Sequence, residues 1–234
     1  MDFESPLRCG TLLRRYKRFL ADIVDESGEE LTIHCPNPGA MSGCADTGSR
    51  VWYSRSDNVN RKYPHTLEIV ESRQGDLVGV NPARANSIVD EAIRAGRIAF
   101  GAGASIHREA PIPGERGRFD FRLDVPDDQA HFVEVKSVTW ARAEKLGAFP
   151  DAKSDRAQRH VIALQRMREA GHRASMLFCV QHSGVTRMTI ADDIDPGYGV
   201  AVRAAHRAGV EVTAYRTVVT PRSLVIADEI PVEL

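Results

Sequence analysis

The chain has 234 residues, 42% hydrophobic and 27% charged, which is the composition of a globular protein with enough apolar mass for a core. Its 31 Lys and Arg nearly balance its 32 Asp and Glu, so no global charge attracts a polyanion, and four scattered cysteines do not form a disulfide framework. No run of about eighteen apolar residues appears and the start is charged, so we expect a cytoplasmic protein without a membrane partner.

The first eighty residues predict short strands separated by turns. The run TLLRRYKRFLADIVD is followed by an ESGE turn and by ELTIHC, RVWYS, TLEIVESR and DLVGV. Five strands suggest a small barrel over residues 1–82. The first run could also be helical, because its apolar residues recur at helical intervals, but the turn directly after it favours a strand.

The pattern changes near Pro82, where NPARANSIVDEAIRAGRI predicts a helix with one apolar face. Three strand candidates follow, SIHREAPI, RFDFRLDV and HFVEVKSVTW, joined by the turns PGERG and PDDQA. After a loop, a helix from about Ser154 to Ala170 precedes the apolar strand ASMLFCV, and a further helix and strands complete the chain. These elements predict a second domain over 83–234 that combines helices with a sheet.

Two neighbouring strand candidates carry a constellation of ionisable residues. In RFDFRLDV, alternation places Phe119 and Phe121 on one face and Asp120 on the other, while Glu134 and Lys136 of HFVEVKSV share a face. If the strands pair, the two carboxylates converge with the lysine beside them. They would repel unless a hard cation such as Mg²⁺ or Mn²⁺ lay between them, and the lysine could orient or deprotonate a water. This pattern predicts metal-assisted phosphodiester hydrolysis.

The alternative for these three residues is an ordinary pair of charged neighbours on a sheet face that meets solvent. The motif is short, and by itself it occurs in many unrelated chains. The strand and helix order around it therefore has to decide between the two interpretations.

Basic tracts in the first domain are candidate nucleic-acid contacts. Alternation along the first strand is predicted to present Arg14, Arg15, Lys17 and Arg18 on a barrel face where bases stack and phosphates are neutralised. A second patch contains Arg61 and Lys62 beside Tyr63. The alternative for both patches is a solvated charged face.

The segment HCPNPGAM predicts a tight turn in which His34 and Asn37 offer contacts to a bound strand or to the second domain. A zinc site with Cys35 and Cys44 is disfavoured, because structural zinc sites commonly have closely spaced cysteine pairs.

The segment FPDAKSDRAQRH predicts an entry loop ordered by Asp151 and a helix capped by Ser154. On that helix Arg156, Gln158 and His160 are candidate groove residues, because a helix N-terminus beside a metal site favours a phosphate. The alternative is a surface ion pair and a packed histidine.

The order of strands and helices, with an acid on the second strand and Glu-x-Lys on the third, resembles the PD-(D/E)XK nuclease superfamily. A more specific resemblance extends over about 200 residues. LLRRYKRFLAD, HCPNPGAM, RKYPHTLEIV, RFDF, EVKSVT, FPDAKSDRAQRH and GVEVTAY occur in the order found in the sugar fermentation stimulation protein family. The resemblance implies an OB-like five-stranded β-barrel, then a restriction-endonuclease-like mixed sheet flanked by helices, with DNA binding and nuclease chemistry.

The resemblance also implies roles for individual residues. Asp120 and Glu134 would be metal ligands, Lys136 the catalytic lysine, and the carbonyl of Val135 a further ligand. Glu91 and Glu109 are additional candidate metal ligands, and Arg118 is an additional candidate nucleic-acid contact. Gly117 departs from the family pattern, which has a serine there, so a hydroxyl that could contact substrate is lost.

We therefore expect a DNA-binding, or RNA-binding, protein with a Mg²⁺- or Mn²⁺-dependent nuclease site. The alternative is a DNA-binding regulator of sugar-metabolism genes that keeps the nuclease fold without turnover. A third class is an enzyme acting on a small phosphorylated metabolite, although basic tracts in both halves fit a long polyanion better. The sequence leaves open whether the ligand is single- or double-stranded, and the oligomeric state.

Overall fold

The computed structural model describes residues 1–100, 103–125 and 129–234, and most of the predicted PDDQA turn lies outside these ranges. The first eighty residues form an antiparallel sheet that closes on itself through a pairing between its third and fifth strands. The strands are β1 (Arg8–Tyr16), β2 (Leu20–Asp25), β3 (Glu30–His34), β4 (Arg50–Arg55), β5 (His65–Glu71) and β6 (Leu77–Gly79).

The closed ring has five strands, as expected, but their identities differ from the sequence prediction. The run TLLRRYKRFLADIVD contains two strands, because Lys17 and Arg18 adopt left-handed backbone angles (φ 48° and 62°) and turn the chain into a hairpin. These two cations therefore lie in a turn, and the prediction that they alternate on a strand is wrong. Strand β6 pairs with β5 but is not part of the closed ring, and it also forms an antiparallel bridge from Val78 to His182 of the second domain.

The second domain is built on a mixed six-stranded sheet in the order β15-β14-β12-β9-β8-β7, in which β9, β12 and β14 run parallel. The elements are α1 (Ala83–Arg94), β7 (Ser105–Pro111), β8 (Arg118–Asp124), β9 (His131–Val138), α2 (Asp155–Glu169), β12 (Arg173–Val180), α3 (Pro196–Arg207), β14 (Glu211–Val219) and β15 (Leu224–Ile230). The predicted helices and central strands are confirmed. No helix in the described ranges is long and apolar enough to cross a membrane.

A smaller four-stranded sheet was not predicted. It consists of short segments that alternation cannot identify, and residues after β9 that we expected to be a loop contribute two of its strands. Its members are β10 (Trp140–Ala141), β11 (Leu146–Phe149), β13 (Arg187–Ile190) and β16 (Val232–Glu233). Strand β11 leads directly into the loop before α2, so this sheet fixes where that loop begins.

Three hydrophobic cores hold these layers together. One fills the barrel, one lies between the six-stranded sheet and helices α2 and α3, and one lies between the other face of that sheet and α1. The core on the α1 side of the sheet also includes Trp52 and Ile69 of the barrel. Barrel and second domain therefore share apolar packing on the side of the sheet where α1 lies.

Polar contacts also join the two domains. Glu68 on β5 is 1% exposed, and its carboxylate accepts hydrogen bonds from Arg84 on α1, from Asn81 and from Ser54. A buried carboxylate must be paired to be tolerated, and Arg84 binds both of its oxygens. This ion pair attaches the first turn of α1 to the barrel.

Three histidines that are buried or partly buried make stability depend on pH. Burial lowers the pKa of His182 from 6.5 despite the nearby Asp76, and burial also lowers the pKa of His34 and His65. With these pKa values depressed in the folded state, the unfolded chain takes up protons first as the pH falls, so stability decreases below about pH 6.5. Urea unfolding should show this loss between about pH 7 and 5.

The variant His182→Asn should show a shallower dependence of unfolding free energy on pH. Asparagine keeps an oxygen that can accept the Gly184 N–H, as His182 does, but it does not titrate. An unchanged slope in this variant would mean that other groups cause the acid sensitivity.

Candidate acidic site at the domain junction

Asp120 is positioned where the pairing between β8 and β9 ends. The ladder runs from Leu123 opposite His131 to Phe121 opposite Val133 and stops there. One residue further, the Asp120 carboxylate accepts the backbone N–H of Val135 at 2.7 Å. The Asp120 side chain thus accepts a backbone N–H of β9 just beyond the last paired residue. This hydrogen bond holds Asp120 against β9.

The neighbouring strand is distorted at the same level. Glu109 on β7 has a left-handed backbone (φ 52°), and the β7–β8 pairing skips Glu109 and Asp120 although it continues on both sides. Phe119 packs in the core on the α2 side, whereas Phe121 packs in the core on the α1 side. The prediction that these two aromatics share a face is therefore wrong, and the change of face falls at Asp120, where the pairing with β7 is skipped.

Glu134 lies on β9 with its side chain toward α2. It is 3% exposed, and one carboxylate oxygen, Oε1, contacts both Lys136 Nζ and His160 Nδ1 at 2.5 Å. The other oxygen, Oε2, is buried without a hydrogen-bond partner. Buried carboxylate oxygens normally have partners, so this oxygen is available to a ligand of the site.

The two carboxylates have opposite pKa shifts. Burial and then the charge of Glu134 raise the pKa of Asp120, against the hydrogen bonds from Val135 and Asn86. For Glu134, burial raises the pKa, but the hydrogen bond with His160 and the charge of Lys136 outweigh it and bring the pKa below its usual value. Glu134 is therefore the stably ionised member of the pair.

The donor set fits a hard divalent cation in part. Asp120 and Glu134 supply carboxylate oxygens, and Val135 lies between them with its carbonyl as a further oxygen. Across the described ranges of the chain, no group of three or more His, Cys, Asp or Glu side chains is arranged to hold a metal. A cation here would need backbone and water oxygens to complete its shell, as Mg²⁺ commonly does.

The barrel forms the opposite wall of the site. Arg15 donates to the carbonyls of Asn37 and Gly39, and Arg18 donates to that of Pro38. Across the junction, the Asp151 carboxylate lies so close to Gly39 that an added Cβ would be 2.2 Å from it. A larger residue at this position would have to displace the Asp151 carboxylate, so the HCPNPGAM turn lies directly against the loop before α2.

These walls enclose a cavity of about 500 Å³ with the acidic residues among its lining. The cations Arg18, Lys153 and Arg156 line it, the first from the barrel, the second from the loop before α2 and the third from the first turn of α2. The Ser154 side chain caps that helix by accepting the Ala157 N–H, as predicted. The cavity therefore presents buried negative charge together with exposed positive charge.

Three sequence candidates lie away from this cavity. Glu91 pairs with the amino group of Met1 at 2.7 Å, and Glu109 is exposed on the edge strand β7. Gln158 donates to Asp195 at the start of α3. The structure therefore places none of the three among the residues that line the cavity, and it gives Gln158 a part in packing α2 against α3.

Of the remaining nucleic-acid-binding candidates, some make structural contacts and others lie on the exposed surface. Arg14 pairs with Asp22, and Arg61 donates to Thr66 near the half-buried His34. Exposed side chains that do not line the cavity are Lys17, Lys62 and Arg118. His160 does not line the cavity either, but it reaches the site through Glu134.

Asn86 and Trp140 are among the lining residues that sequence reasoning missed. Asn86 on α1 donates to Asp120 at 2.7 Å, and Trp140 on β10 lies at the cavity wall. Asn86 is a polar residue next to the predicted apolar face of α1, and this was a signal that could have identified it. Trp140 ends the predicted strand HFVEVKSVTW, but no pattern in the sequence related it to the carboxylates.

The cysteines near the HCPNPGAM turn belong to the barrel core. Cys35 and Cys44 are both buried there with Met41. Burial raises the pKa of Cys44 to about 12, which keeps it a protonated thiol. This is the behaviour of a core residue and is unfavourable for a zinc ligand, which must be a thiolate.

Family models match both halves of the chain. One described as the sugar fermentation stimulation protein RE domain matches residues 83–223, and one described as the SfsA N-terminal OB domain matches residues 13–80. A relative described as "Sugar fermentation stimulation protein homolog" from Pseudomonas aeruginosa is 51% identical over 236 residues, covering 100% of each chain. The Teredinibacter turnerae protein of the same description is 48% identical, also over 100% of both chains.

A solved structure shares the fold. The structure of Pyrococcus furiosus SfsA in complex with Ca²⁺ superposes with a TM-score of 0.87 over 100% of this chain and 98% of that one, at 23% sequence identity. The arrangement of a closed barrel beside a mixed sheet is therefore common to both proteins.

Proposed function

The chain belongs to the sugar fermentation stimulation protein family, and from this premise we propose that it binds nucleic acid and hydrolyses phosphodiester bonds at the acidic site with a divalent cation. The observation that carries the proposal is Glu134, a buried and ionised carboxylate with one oxygen on Lys136 and the other without a protein partner. Such an arrangement is unfavourable for packing alone and suits a site that accepts a cation.

A divalent cation would be held by Asp120, Glu134 and the carbonyl of Val135, and it would neutralise the phosphate and act as a Lewis acid. The family supports this, since a relative of the same fold was solved in complex with Ca²⁺. Ca²⁺ and Mg²⁺ both select oxygen ligands.

The chain's own residues have separable tasks. Lys136 and His160 hold the Glu134 carboxylate from one side, so that its second oxygen remains open. Lys136 also lines the cavity, and there it would orient the attacking water. The cations Arg18, from the barrel, and Arg156, from the first turn of α2, both line the cavity and would bind flanking phosphates.

The direct test is to incubate the purified protein with labelled single- and double-stranded DNA and RNA in Mg²⁺, Mn²⁺ or EDTA. We expect cleavage of at least one substrate with either cation and none in EDTA. Binding that is unaffected by EDTA, with no cleavage of any substrate, would contradict the proposal and favour a regulator that retains the fold.

Asn86→Ala is expected to weaken divalent-cation binding about tenfold, because residues that orient a ligand through hydrogen bonds typically contribute a factor of ten or more. The change removes the amide that holds Asp120 and leaves the two carboxylates in place. Calorimetric titration with Mn²⁺ measures it. Asn60→Ala, in an exposed barrel loop, is the matched control and should leave the affinity unchanged. Equal affinities in both variants would mean that Asp120 does not need this support.

A further inference from the structure

We propose that the acidic cavity takes a single unpaired strand of nucleic acid and excludes a continuous duplex. This inference deepens the proposed function and rests on it for the identity of the site. It follows from how deeply the carboxylates lie, how the two domains close over them, and which side chains line the opening.

The carboxylates of Glu134 and Asp120 lie deep in the cavity. Glu134 is 3% exposed and Asp120 is half-buried, so a phosphodiester has to enter the cavity to reach them. At about 500 Å³, the cavity falls in the range typical of sites for small ligands. That space accommodates a short length of one strand.

The turn that forms one wall of the cavity is held by contacts with both domains. Arg15 and Arg18 tie down the carbonyls of the turn containing Pro38, and Asp151 accepts the N–H of Met41 from the other side at 3.4 Å. The turn is therefore held in place by both domains. In a duplex, paired and stacked bases stiffen the phosphate backbones, whereas a single strand can splay its bases and bend into a pocket.

The lining combines an aromatic ring with cations. Trp140 lies at the wall, and the guanidinium of Arg142 packs over its ring at 4.4 Å from the centroid. Arg142 is itself paired with Asp193, so the indole is supported in a fixed orientation. Aromatic rings on which bases stack, beside cations that follow the backbone, are the usual means of binding single strands.

Tryptophan fluorescence can test this directly, because the chain has only two tryptophans. In Trp52→Phe, Trp140 is the sole reporter and lies at the proposed site. We expect single-stranded DNA or RNA, titrated in the presence of Ca²⁺, to quench the emission and to bind at least about tenfold more tightly than a blunt hairpin duplex. Separate DNA and RNA titrations show which sugar is preferred.

In the otherwise unchanged protein, Trp140→Ala should weaken binding of a labelled single strand about tenfold, as expected for the loss of one stacked base. Arg207→Ala, an exposed cation on α3 that does not line the cavity, is the control and should bind normally.

The inference would be overturned if duplex quenched Trp140 as strongly as single strands do, or if neither quenched it. Cleavage of a covalently closed duplex circle would also overturn it while leaving the proposed hydrolysis intact. Conversely, tight binding of single strands with no cleavage of any substrate would reject hydrolysis and support the inference.

Discussion

Glu134→Gln is expected to reduce metal-dependent cleavage at least about 100-fold, the lower end of effects seen when a group essential to the chemistry is removed. Glutamine keeps the size of the side chain and an acceptor for Lys136, but it lacks the charge that makes the free oxygen a good cation ligand. Binding of nucleic acid should change by less than about threefold, since the phosphate-binding cations are untouched. Initial cleavage rates and electrophoretic mobility shifts measure the two effects separately.

The matched control is Glu26→Gln, which neutralises an exposed carboxylate of the barrel and should leave the cleavage rate unchanged. Thermal unfolding of Glu134→Gln should show that the variant is folded at the assay temperature. If it retained more than about a tenth of the rate, the catalytic assignment would be wrong and the cleavage would come from another site.

Arg84→Ala is expected to lower the free energy of unfolding by about 3 kcal/mol, because it leaves the buried Glu68 carboxylate without its cation. We take the lower end of the range for a broken buried pair, since the Arg84 side chain is 31% exposed. Urea unfolding measures the loss. Arg94→Ala on the same helix breaks an exposed pair with Asp90 and should lower stability by less than about 0.5 kcal/mol.

A double variant separates the cost of leaving Glu68 buried and unpaired from the loss of the ion pair itself. In Glu68→Gln with Arg84→Met, no charge is left buried, so the protein should be more stable than Arg84→Ala alone. Similar losses for Arg84→Ala and Arg94→Ala would show that the Glu68 pair contributes little. The pair would then not be what attaches α1, and with it Asn86, to the barrel.

The acidic pair and the lysine could be predicted because their signal is local. Strand alternation is a property of a few consecutive residues, and on β9 it correctly placed Glu134 and Lys136 together. The same reasoning failed on β8, where Phe119 and Phe121 pack into cores on opposite sides of the sheet. Alternation along one segment does not show where a strand departs from regular pairing with its neighbour, as β8 does at Asp120.

The sequence by itself determined the main helices, the barrel and the acids, since hydrophobic periodicity, turn residues and capping are encoded within short segments. Only the tertiary structure decided which charges form the site. It attached Arg15 to the HCPNPGAM turn, paired Glu91 with Met1, and brought Asn86 and Trp140 to the carboxylates. The reason is physical: a charged side chain can be satisfied by water, a backbone carbonyl or a distant residue, and only the packed chain selects among them.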